Sequence, residues 1–118
     1  MTTRIANKAA ASMVAQQRPF EGSNMFAREG VVIGEGGQVV SDLYIVYSYG
    51  EHFPMYVAET DAETKTTRWY GNTDRFSQST TRHQSQARPQ VQCIPMDTER
   101  MKLIARGGLM ELVRRGAA

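Results

Sequence analysis

Leu43-Tyr44-Ile45-Val46-Tyr47-Ser48-Tyr49 decides the fold. It is β-branched and aromatic throughout, and strict alternation sets Leu43, Ile45, Tyr47 and Tyr49 on one face and Tyr44, Val46 and Ser48 on the other. It is the strongest strand signal in the chain, within a sheet whose terminal helices are expected to cover one face. Gly50-Glu51-His52 turns the chain, and Phe53–Glu59 reads as the next strand, with Phe53, Met55 and Val57 on one face. Pro54 has no amide hydrogen and belongs at the start of that strand or on an edge. After the turn residues 61–65, Thr66–Tyr70 reads as a third strand, with Thr67 and Trp69 facing opposite to Arg68 and Tyr70.

Upstream, Val31-Val32-Ile33 and Val39-Val40 flank Gly34-Glu35-Gly36-Gly37, a hairpin signal. Short turns between consecutive strands imply an antiparallel meander over 29–70. The spacing of Ile5, Ala9 and Met13 predicts a helix over 3–17, within an N-terminal arm 1–19 that Pro19 closes. Residues 71–92 carry Phe76, Ala87 and Val91 as their apolar side chains and read as a polar loop, with a short helix expected over 80–86 under a Ser79 or Thr80 cap. Asp97 or Thr98 is expected to cap a C-terminal helix over 97–115, which Gly107-Gly108 would weaken or bend. The expected architecture is α+β: one domain, 1–118, with a small antiparallel sheet packed by N- and C-terminal helices.

With 118 residues there is room for one domain, and 41% hydrophobic with 22% charged residues is ordinary for a globular chain. No apolar run approaches the ~20 residues of a membrane-spanning helix. The single cysteine, Cys93, cannot form an internal disulfide, and a cytoplasmic setting is expected. The formal charge of +2 hides a division. Residues 1–28 sum to +3, residues 29–63 hold seven acids and no Lys or Arg, and residues 64–118 sum to +6.

No catalytic, cofactor or metal motif emerges. The Gly34–Gly37 cluster lacks the Lys-Ser/Thr and the following helix that a phosphate loop requires. His52, His83 and Cys93 lack paired ligand spacing, so no metal is expected. Ser85, His83 and Asp74 can be written as a triad only because polar loops supply such residues freely. A non-enzymatic protein is the expectation.

Two binding surfaces remain. The acids Glu51, Glu59, Asp61 and Glu63 would meet a basic protein surface by charge complementarity. Alternatively Arg68, Trp69, Tyr70, Arg75, Arg82 and His83 would stack and neutralise single-stranded nucleic acid, since eight of the ten aromatic residues fall between Tyr44 and Phe76. Arg82 is expected to pair with Asp74, and His83 to bond the hydroxyl of Tyr47 or Tyr49. An exposed edge at Val31–Ile33 leaves a second copy of the chain as a candidate partner.

The strings Tyr44-Ile-Val-Tyr-Ser-Tyr-Gly-Glu-His-Phe-Pro-Met55, Trp69-Tyr-Gly-Asn-Thr-Asp-Arg-Phe-Ser77 and Thr80-Thr-Arg-His-Gln-Ser-Gln-Ala-Arg-Pro89 are similar to a signature of small uncharacterised proteins of bacteriophages and mobile elements. The resemblance spans positions 44–89. It implies a mobile-element source and a host-cell setting. A partner in a host or defence complex, which the protein would modulate or inhibit, follows as the expected function.

Overall fold

The computed structural model describes residues 3–75 and 77–107. In chain order these form β1 (Thr3–Arg4), a 3₁₀ turn (Asn7–Ala9), α1 (Ala10–Ala15), β2 (Phe20–Glu21), β3 (Met25–Ile33), β4 (Val39–Ser48), β5 (Pro54–Asp61), β6 (Thr67–Asn72), α2 (Gln78–Ala87), β7 (Ile94–Met96) and α3 (Thr98–Ala105). Among the described residues, seven strands make one sheet in sequence order. The α+β class holds, but the sheet is mixed. The antiparallel meander β2–β6 is flanked by a parallel pair at each edge, β1 with β2 and β6 with β7.

Those parallel pairs explain the helices. A parallel partner cannot be reached by a hairpin, so the chain must cross over a face of the sheet. α1 makes the crossover from β1 to β2, and α2 makes it from β6 to β7. Both steps run the same way across the sheet from strands pointing the same way, so a common handedness places both helices on one face. They touch there, and α3 covers the other face over β5 and β6.

Two cores result. Ala10, Met13 and Val14 of α1 and Ala87 of α2 pack on Phe20, Met25, Ala27, Tyr44, Val46, Met55, Tyr56 and Ala58. Met101 and Ile104 of α3 pack on Val32, Leu43, Ile45, Tyr47, Val57 and Tyr70. β4 alternates between them as its sequence predicts. β5 does not: Val46 pairs with Tyr56 and Tyr47 with Pro54, so Met55 is an extra residue. The bulge leaves Phe53, Met55 and Tyr56 all in the α1–α2 core and moves Val57 to the α3 core, correcting the predicted Phe53–Met55–Val57 face.

Other expectations are also revised. The N-terminal helix over 3–17 is a strand, a 3₁₀ turn and the six-residue α1, because Thr3 and Arg4 pair with Phe20 and Glu21. The polar loop 71–92 begins inside β6 and contains the ten-residue α2, whose cap is Ser77, accepting from the Thr80 amide. Asp97 caps α3 as expected, accepting from the Arg100 amide. The helix ends at Ala105, and Gly107 follows at φ +80°, where a Cβ would also lie 3.1 Å from the Val31 carbonyl oxygen. The remainder of the predicted 97–115 helix lies outside the described residues. No described helix is long and apolar enough to cross a membrane.

Candidate functional site

The acids do not form one surface. Glu51 sits in the turn before β5 and pairs with Arg28 at 3.4 Å. Glu59, Asp61 and Glu63 lie at the far end of that eight-residue strand, about 25 Å away at the usual strand rise. Glu59 accepts the Ser41 hydroxyl at 2.7 Å on the α3 face. Asp61 closes the β5–β6 hairpin, its Oδ1 accepting the amides of Glu63 and Thr64, each at 2.9 Å. Those bonds hold its carboxyl below the usual carboxylate range.

A surface at this hairpin end includes the exposed edge expected at Val31–Ile33 and extends it across the sheet face. α1 and α2 cover only the half of their face nearest α2. Beyond them Val31, Ile33 and Val39 are 45%, 53% and 44% exposed. Ile33 pairs directly with Val39, and Val31 with Asp42, so these side chains share the face away from α3. Beside them is a concavity of about 580 Å³ whose lining includes Gln17, Glu29, Val31, Asp42 and Thr60, with no Lys or Arg. Tyr44 lies beneath; burial first, and then the charge of Glu29, pushes its phenol pKa up. β2 pairs only with Phe26 and Ala27, so the outer edge of β3 beyond them meets no strand among the described residues. The signal for this surface was Val31-Val32-Ile33 and Val39-Val40 beside Glu29 and Asp42; how much of the sheet the N-terminal helix would cover was not legible.

The aromatic and basic residues are divided differently. Trp69 is half-buried in the α1–α2 core, edge-on to Tyr44 with ring centroids 6.3 Å apart. Tyr70 is buried on the opposite face under α3. Strand alternation that brings Arg68 and Tyr70 to one face therefore separates the two rings. Arg68 and Arg82 are exposed. His83 is buried, and its Nδ1 bonds the Ser48 hydroxyl at 2.8 Å rather than a tyrosine hydroxyl; the Tyr49 ring lies alongside, centroids 5.4 Å apart. Tyr49 adopts φ +65°, a left-handed conformation uncommon for a ring-bearing residue. Desolvation, and then Arg82, lowers the His83 pKa, keeping the imidazole neutral.

Asp74 does not pair with Arg82. Its Oδ2 accepts the Thr98 hydroxyl at 2.6 Å and the Thr98 amide at 3.0 Å, tying β6 to the start of α3. The formal Ser85–His83–Asp74 triad is thereby dispersed. Arg75 instead comes together with Arg88, which was not among the expected site residues; both line one groove beside Tyr56. No group of three or more His, Cys, Asp or Glu side chains converges among the described residues.

No family model, curated protein or solved structure matches the chain.

Proposed function

We propose that this chain is a small non-enzymatic binding protein that docks its hairpin end on a basic surface of a partner protein. The observation that carries this reading is the half-covered sheet: Val31, Ile33 and Val39 stand exposed beside Glu29 and Asp42, with no cation in the adjoining concavity. An apolar centre with a charged rim is the usual anatomy of a protein interface. The acids Glu59, Asp61 and Glu63 on the same end extend the negative field and would steer a basic partner by long-range attraction. A partner whose basic surface is a nucleic-acid channel would be blocked by such contact. The likeness to phage and mobile-element proteins directs the search toward host and defence complexes.

The single-stranded nucleic-acid reading keeps the exposed arginines but has Trp69 and Tyr70 packed into opposite cores, so its stacking platform is weaker.

Affinity capture with wild-type protein and a Glu29→Lys/Asp42→Lys variant tests the proposal. The expected result is a protein partner retained by wild type, lost by the variant and released near 1 M salt, where screening acts within about 3 Å. Equal retention by the variant would overturn it, and salt-dependent binding of single-stranded DNA in place of a protein would favour the nucleic-acid reading.

A further inference from the structure

At the opposite end of the sheet, the segment from Arg88 to Cys93 runs from α2 toward β7 and borders an open cavity of about 580 Å³ against the end of β6. Tyr56 and Gly71 form its floor, and Thr73, Arg75, Arg88 and Cys93 line its walls. The floor is tightly built: a Cβ on Gly71 would lie 3.1 Å from the Cys93 Cβ and 3.6 Å from the Tyr56 ring. No carboxylate lines the cavity among the described residues. Asp74, the one acid between positions 64 and 92, is turned away to Thr98.

One of the two guanidinium groups is anchored by a buried side chain. Arg75 donates through Nη1 to the Oε1 of Gln84. Gln84 is itself buried and donates to the carbonyls of Asn72 and Asp74, so its orientation is fixed. Arg88 lies across the same groove beside Tyr56, whose hydroxyl donates to the Gln84 carbonyl at 2.7 Å. Each guanidinium has five N–H donors and uses few of them here, leaving others for a ligand. Neither makes an ion pair with a described carboxylate. Two cations in one concave site lined by no described carboxylate, one of them oriented by Gln84, make an anion receptor.

We propose that this cavity binds a phosphomonoester, clamped between Arg75 and Arg88. A phosphomonoester carries a charge of about −1.5 to −2 at neutral pH, matching two guanidiniums, and its oxygens accept their forked donors. The cavity volume falls among those of small-molecule sites, roughly 300–1,000 Å³, so a nucleotide-sized remainder has room. Gln90 and Gln92 on the same wall offer exposed amides to that remainder. Binding here is independent of the acidic hairpin end.

Cys93 is the chain's single thiol and lies on the cavity wall, so it reports occupancy without a label. Inorganic phosphate, AMP and adenosine are titrated at millimolar concentration while Cys93 alkylation and calorimetric binding are followed. Phosphate and AMP are expected to slow alkylation, and adenosine is not. Tighter binding of AMP than of phosphate assigns a nucleotide, and equal binding assigns the free anion; either supports the site. Arg75→Gln and Arg88→Gln should each weaken binding about tenfold or more, as loss of a charge-assisted bond requires. Arg82→Gln, on α2 between them but outside the cavity, should leave it unchanged, and circular dichroism confirms that each variant is folded. Failure of both phosphate and AMP to bind, competition by adenosine as strong as by AMP, or wild-type affinity in both folded glutamine variants would overturn the proposal.

Discussion

Replacing Phe20 by alanine tests whether the N-terminal segment belongs to the core. Phe20 is fully buried and sits in one cluster with Met13 and Val14 of α1, Met25 and Ala27 of β3, and Tyr44 of β4. Its backbone pairs with Thr3 on one side and Ala27 on the other, so the side chain cannot leave without opening both ladders. Truncating a buried phenylalanine costs about 3–5 kcal/mol when the surroundings collapse only partly. For a domain of this size, at roughly 4 °C per kcal/mol, that corresponds to a fall in melting temperature of about 12–20 °C. Thermal melts by circular dichroism read it directly. Against a typical total stability of about 5–15 kcal/mol, the variant should be near unfolding at physiological temperature. A melting temperature within a few degrees of wild type would mean that the N-terminal segment behaves as a mobile arm and not as a lid on the sheet. The α1–α2 layer would then lose its physical basis.

Four further outcomes follow from individual polar and titratable side chains. His83 titrates below its ordinary value in the folded protein, so the unfolded chain takes up its proton first; stability should fall as pH drops below about 6.5, and His83→Gln should flatten that slope in urea titrations across the range. Asp61 and Asp74 are likewise lowered and lose their contribution only as pH falls below the ordinary carboxylate range, so the two windows separate. Asn72 donates to the Pro54 carbonyl at 2.9 Å and to the Thr98 hydroxyl at 3.1 Å, so Asn72→Ala should cost about 1–3 kcal/mol in chemical denaturation by orphaning buried partners. Burial raises the Cys93 pKa, with Arg88 opposing; alkylation of the folded protein at pH 8 should therefore be slower than that of the unfolded chain, and equal rates would contradict the assignment.

The central strands were legible because their alternation is local and both faces are large. Leu43, Ile45 and Tyr47 fall in one core, and Tyr44 and Val46 in the other, as period two requires. The hairpin at Gly34–Gly37 was legible from its glycines, and Gly37 does take φ +83°. What escaped was non-local. Two-residue strands such as Thr3–Arg4 have no periodicity, and their pairing is decided by where the crossover lands. The bulge at Met55 is set by pairing with β4, which a single strand's sequence does not record. The same holds for the surfaces. Acids counted along the chain were split by the length of β5, and Arg75 met Arg88 only because α2 folds back over the end of β6. Trp69 and Tyr70 illustrate the converse: adjacency in sequence guarantees opposite faces in a strand.

The most direct test of the proposed interface places a photo-activated crosslinking residue at Val31, in the uncovered half of the sheet, and at Thr81, on the exposed side of α2, in separate copies expressed in cells. The account predicts a discrete protein adduct from position 31 that Asp42→Lys abolishes, with none from position 81. Adducts from position 81 alone, or an adduct at 31 that survives Asp42→Lys, would contradict it.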